Sequence, residues 1–321
     1  MKIKGKWFAA LLALPIMATQ AYALDLGASD KTIKLAINEW TGQHITTRVA
    51  GAVLERAGYT VEYVTAGYTP QFLALSEGDL HATLEIWTSN LPGQYADIEA
   101  SGKIIDIGGL GLAAREGVLY PIHMKEACPG LPDWKALNDC AAKFATVDTL
   151  PKGRLLDYPA DWGSPGKDRF EAIGMDFTAV PAGSEGALIT ELEASIAKKS
   201  PLVMTFWQPH WALSEYETEW VALPAGEDAC YNDASWGVNP NATGDCDFSP
   251  TRIFKVVWSG FDDTWPMAGE ILRNFSMDAG DQQSMMAAVD SRGEDINAVV
   301  AAFIDANSSS VDGLISAAKA K

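Results

Sequence analysis

Basic side chains are scarce in this sequence, with 24 lysines and arginines against 42 aspartates and glutamates. So acidic a chain repels phosphate backbones and anionic headgroups, which argues against nucleic acid and acidic membrane surfaces as partners. Histidine is scarcer still: His44, His81, His123 and His210 are the only four, in separate segments that suggest no triad. The nucleophile elbow G-x-S-x-G, the zinc helix H-E-x-x-H and the P-loop are missing. GGLG, Gly108 to Gly111, is a fragment of a dinucleotide fingerprint without its later glycine. No constellation for catalysis remains, so no enzyme, cofactor or metal is expected.

Long apolar runs are absent as well, apart from Trp7 to Ala18. Lys2, Lys4 and Lys6 precede that run and Ala21-Tyr22-Ala23 follows it, which makes residues 1–23 an expected signal peptide cleaved near Ala23. The run is too short to span a bilayer, and no cysteine follows it to carry a lipid. An exported chain starting at Leu24 is the expectation. Losing three of the 24 basic residues leaves it with a net charge of −21 against 42 acids. That charge favours a cationic ligand and serves solubility equally well.

The four cysteines fall in two local pairs, Cys128/Cys140 and Cys230/Cys246. Export favours disulfides, and four cysteines allow three connectivities. The sequential pairing, Cys128–Cys140 with Cys230–Cys246, is expected because both intervals read as loops. Neither pair has the close C-x-x-C spacing of a zinc site. Asn239 to Pro250 is rich in oxygen ligands but lacks EF-hand spacing, and reads as a disulfide-stapled loop with structural calcium as the lesser alternative.

What is present is an α/β rhythm. Thr32 to Asn38, Tyr59 to Val64 and Ala82 to Trp87 read as strands, with helices over Gln43 to Gly58 and Phe72 to Glu77 between them. Gly102 to Pro121 breaks the rhythm with five glycines around apolar residues and reads as a long extended crossing. A second block holds helices over Trp134 to Phe144, Lys167 to Ile173 and Glu185 to Lys198, and a strand over Pro201 to Trp207. A strand near Ile253 to Trp258 and helices over Trp265 to Phe275, Asp278 to Val289 and Glu294 to Asn307 follow. The expected fold is an α/β two-lobed clamshell, each lobe a mostly parallel sheet flanked by helices, joined by two hinge crossings. Lobe I is expected over 24–114 and 212–321, and lobe II over 115–211. Ligand belongs in the crevice outside the strand carboxyl ends.

Four tryptophans fall at or just beyond such strand or loop edges: Trp40, Trp87, Trp162 and Trp207. Two from each lobe would meet in the crevice, and indole faces attract cations through their quadrupole, most strongly when dry. A tryptophan taken singly is more often core. Trp134, Trp211, Trp220, Trp258 and Trp265 are therefore assigned to packing.

NEWTGQ, LEIWTSN, PADWGSPG, AGSEGAL and TFWQPHW resemble the substrate-binding proteins of glycine betaine/proline betaine ABC importers, over essentially the whole mature chain. The resemblance implies a two-lobed periplasmic clamshell with an aromatic cage for a methylated ammonium head. Cage positions match Trp40, Trp87, Trp162 and Trp207. Within that family the chain is similar to the trimethylamine N-oxide-binding branch, where a glutamate on the first crossing contacts ligand and matches Glu116; CPGLPDWKALNDC also resembles that branch. The implied partners are a small methylated amine and an ABC permease in the inner membrane, with the receptor itself a monomer. Trimethylamine N-oxide is the expected ligand, because a buried, protonated Glu116 can donate to its oxygen. Glycine betaine, choline, carnitine and dimethylsulfoniopropionate stay open, and an exported enzyme acting on such osmolytes is the lesser alternative.

Overall fold

IKLAI is apolar throughout except Lys34, and forms β1 (Ile33–Ile37), a strand covered on both faces. The computed structural model describes residues 25–321, so the expected signal peptide over 1–23 lies outside the described residues. Alternation of short strands with helices continues through β2 (Val61–Thr65), β3 (Ala82–Trp87) and β4 (Ile104–Ala113). After Ala114 the chain enters the second lobe as β5 (Arg115–Pro121), followed by β6 (Gly153–Asp157), β7 (Phe177–Pro181), β8 (Met204–Gln208) and β9 (Thr218–Trp220). It returns as β10 (Arg252–Trp258) and ends in helices.

The sheets repeat one topology. Their orders are β2-β1-β3-β10-β4 and β7-β6-β8-β5-β9. In each, three strands pair in parallel and the strand arriving from the other lobe is inserted antiparallel: β10 between β3 and β4, β5 between β8 and β9. This inversion matters for the site. An antiparallel strand begins where its neighbours end, so the first residues of β5 lie at the carboxyl edge of β8, with Glu116 paired to Trp207.

Several elements differ from expectation. β6 and β7 carry no strong apolar run and give no clear strand signal, nor does the helix Ser308–Lys319 announce itself, since it opens on three serines. The helix expected over Trp134 to Phe144 stops at Asp139, and a 3₁₀ turn over Ala141–Phe144 follows Cys140, which is bonded to Cys128. The boundary expected at 211/212 is corrected by strand pairing. β9 joins the second sheet beside β5, and the following segment stays there too: Trp134 N–H donates to Ala222, and Asn239 Nδ2 donates to Ala172. The second crossing therefore falls just before β10. The disulfides join Cys128 to Cys140 and Cys230 to Cys246. In the stapled loop Asp245 is buried and accepts Asn239 N–H at 2.5 Å, which commits its carboxylate internally.

Candidate functional site: an indole cage between the lobes

Each site residue is delivered by a strand edge. Trp40 lies just past β1 and caps the helix Thr41–Arg56. Trp87 is the last residue of β3, and Tyr68 Oη bridges its backbone, donating to the carbonyl at 3.1 Å and accepting the N–H at 3.2 Å. Tyr158 follows β6, and Trp162 closes a 3₁₀ turn over Ala160–Trp162. That turn is anchored by buried Asp157, which accepts the backbone N–H of Tyr158 at 2.9 Å and of Lys167 at 2.8 Å. Gly163 then takes φ +91°, a conformation open to glycine and strained for other residues. Trp207 stands near the end of β8, with Phe206 stacked at 4.7 Å.

The four expected indoles and Glu116 converge on one cavity of about 310 Å³, lined also by Tyr68, Asn90 and Tyr158. The rings meet edge to face. Trp162 lies 5.2 Å from Trp40, its partner across the cleft, and 5.5 Å from Trp207, while Tyr158 is 5.7 Å from Trp207. The lining contains no lysine, arginine or histidine.

One corner is polar. Asn90 Nδ2 donates to Glu116 Oε1 at 3.3 Å. Glu116 Oε2, Tyr158 Oη and Asn90 Oδ1 are buried without a hydrogen-bond partner. Buried polar atoms are seldom left so, and three in one cavity mark where a ligand's polar atom would sit. Burial pushes the Glu116 carboxyl above its usual range; nearby Ser89, Tyr158 and Asn90, and the Arg169 charge, pull it back in part. The protonated form is thereby favoured, which leaves Oε2 able to donate.

Sequence reading found the five charged and indole positions but missed Tyr68, Asn90 and Tyr158. Asn90 lies within LEIWTSN, three residues past Trp87. Tyr158 sits at the end of β6, a strand with little signal of its own. Of the tryptophans assigned to packing, Trp265 is buried with its N–H on Ala28, but Trp211 does more: its Nε1 donates across the cleft to Asp290 at 2.9 Å.

Around the cavity the lobes cap each other's helices. Glu185, first residue of the second-lobe helix Glu185–Lys198, accepts the N–H of Thr41 at 2.7 Å, at the start of the first-lobe helix. Glu39 of the first lobe accepts the N–H of Glu185 at 3.1 Å. Both carboxylates thus sit at helix N-termini, where the helix dipole favours negative charge. His210 adds to the latch. Its Nδ1 accepts Ala212 N–H, leaving Nε2 to donate to Glu185 at 3.1 Å, and its ring packs 4.9 Å from Trp207.

Beneath Trp40, the buried Glu85 carboxylate takes the indole N–H at 2.7 Å. Burial raises its pKa from 4.5 to about 7, against hydrogen bonds from Trp40, Thr46 and Gln282 that lower it. The unfolded chain loses this proton near pH 4.5 and the fold holds it to about 7, so stability present at acid pH is lost as pH rises across that window. The loss is at most about 3 kcal/mol. Denaturant unfolding across the window is expected to show a shallower decline in Glu85→Gln than in the wild type. Parallel curves would refute this origin of the slope.

Two five-stranded lobes meeting at an aromatic cavity define a ligand receptor of the periplasmic-binding type. The chain belongs to the family described as the substrate-binding domain of ABC-type glycine betaine transport systems, which matches residues 31–306. It is 27% identical over 294 residues to the trimethylamine N-oxide-binding protein of Pelagibacter ubique (strain HTCC1062), covering 89% of this chain and 91% of that one. Among solved structures, a choline-binding ABC-transporter protein with bound choline superposes with a TM-score of 0.70 at 19% identity, covering 90% of this chain and 93% of that one. Lactococcal OpuAC closed on glycine betaine gives 0.67 at 16%, covering 89% and 100%. Those two likenesses establish the fold. Members of this family bind substrate for transport and are not enzymes; the chain is a substrate-binding protein of a betaine-type ABC transport system.

Proposed function

We propose that this receptor captures trimethylamine N-oxide in the periplasm, as a monomer exported by its signal peptide, and presents it to an inner-membrane permease. The observation that carries this reading is the cavity's pairing of four indoles with a corner of unpartnered polar atoms, and its lack of any basic side chain. The methylated head rests on ring faces, each contributing on the order of 1–2 kcal/mol when desolvated. The single oxygen meets Glu116 Oε2 and Tyr158 Oη as donors. A glycine betaine carboxylate would find no cationic partner in the lining. The relative from Pelagibacter ubique, by its name, binds the same ligand.

A calorimetric titration with trimethylamine N-oxide, glycine betaine, choline, carnitine and dimethylsulfoniopropionate tests the proposal. The N-oxide is expected to bind tightest, and equal or tighter binding of glycine betaine would sink it. Choline is the second reading, since its hydroxyl suits an ionised Glu116. Glu116→Gln separates the two. The substituted amide keeps an acceptor for Asn90 and a donor for the N-oxide, so that affinity should stay within about threefold, while choline, losing a charged acceptor, weakens about tenfold or more. Loss of the N-oxide as severe as for a cage tryptophan would show that the charge at Glu116 matters.

A further inference from the structure

Glu85 lines no part of the cavity, yet much of the local structure serves to aim it. It is a glutamate inside a strand with φ +64°; among the described non-glycine residues only Lys199, at a helix end, shares a positive φ. The β3–β10 ladder slips at this point, with Ile86 opposite Phe254 but Thr83 opposite Val256, so two residues of β3 face Lys255 alone. A bulge of this kind redirects a side chain, and backbone strain of this kind gathers at functional sites. Oε1 receives Trp40 Nε1 at 2.7 Å; Oε2 receives Thr46 Oγ1 at 2.9 Å and Gln282 Nε2 at 2.7 Å. A Cβ on Gly42 would lie 3.2 Å from Oε1, so the helix is pared back to glycine there. All these residues belong to the first lobe. Among the described residues no lysine, arginine or histidine pairs with this carboxylate. It is a buried acid without a positive partner among the described residues.

We infer that Glu85 is a positioning residue that supplies the cage's counter-charge through Trp40, orienting the indole and enriching its face, a contribution that strengthens the hold on a net cation more than the hold on a neutral dipole. The physics is direct: an N–H donated to a carboxylate leaves more electron density on the ring, and ring density is what a cation senses. The inference rests on the cage reading above.

The test compares tetramethylammonium, a net cation, with trimethylamine N-oxide, a neutral dipole, on the mature chain at about pH 8, above the raised pKa of about 7. Glu85→Gln keeps the shape and an acceptor for Trp40. It is expected to cost tetramethylammonium roughly tenfold or more in affinity and the N-oxide roughly threefold or less. Equal losses for both, or none for either, overturn the inference. Wild-type protein that binds neither ligand overturns instead the cage reading beneath it. Should the variant fail to fold, the wild type decides by NMR, with the Trp40 indole proton assigned through Trp40→Phe. That resonance is expected far downfield and displaced more by tetramethylammonium than by the N-oxide; an ordinary position that neither ligand moves refutes the role.

Discussion

Trp207→Ala lowers affinity for trimethylamine N-oxide by roughly 10²–10³-fold, and Trp87→Ala does likewise. The estimate combines on the order of 2 kcal/mol of cation attraction per desolvated indole with the loss of apolar packing against the ligand's methyls, at about 1.4 kcal/mol per tenfold. Trp207 is the larger loss of the two, because it also braces Trp162 and Tyr158, 5.5 and 5.7 Å away. Trp87 is held by its backbone to Tyr68 Oη, so its truncation removes one wall and leaves that anchor in place. Both variants should keep the wild-type far-ultraviolet dichroism, since these indoles border a cavity. Isothermal titration provides the reading; wild-type affinity in both would end the cage assignment.

Glu185→Ala is expected to weaken every ligand together, by roughly 30-fold or more. This side chain is not part of the cavity lining; it holds Thr41 N–H at 2.7 Å across the lobe interface and His210 Nε2 at 3.1 Å within its own lobe. Buried hydrogen bonds to a charged group are worth about 1.5–3 kcal/mol each, and the bond to Thr41 exists only when the lobes meet. A ligand must then supply the closure energy it provided. Small-angle scattering with increasing ligand checks the effect: compaction should need proportionately more ligand than in the wild type. Unchanged affinity, or a loss confined to one ligand, would place Glu185 outside the closure equilibrium. The same interface carries two further acids, Glu39 and Asp290, both held above their usual pKa mainly by burial.

The indoles that line the cavity were legible because tryptophan is chemically conspicuous and these four sit at or just beyond strand or loop edges. Trp40, Trp87, Trp162 and Trp207 follow from that placement, and the convergence of two lobes follows from the α/β rhythm. Tyr158, Asn90 and Glu85 did not stand out. A tyrosine or asparagine past a strand carries no local sign of being left without a partner when buried. Glu85, in LEIW, breaks an apolar run in the way a solvent-facing residue would. Its role depends on a bulge against β10, which lies far along the chain. The lobe boundary was misjudged for a related reason: β9 is three residues long, too short to signal by pattern, and only its pairing with β5 assigns it.

By itself, then, the sequence determined the class of molecule: an acidic α/β chain with indoles at its strand edges and cysteines in local pairs. These are properties of composition and short-range periodicity, which folding preserves. Tertiary structure alone decided which groups are left buried and unpaired in the cavity, and that two helices are capped by acids of the opposite lobe. It also set a hidden carboxylate behind Trp40. Each of these depends on contacts between residues distant along the chain, whose energies arise only once water has been excluded between them.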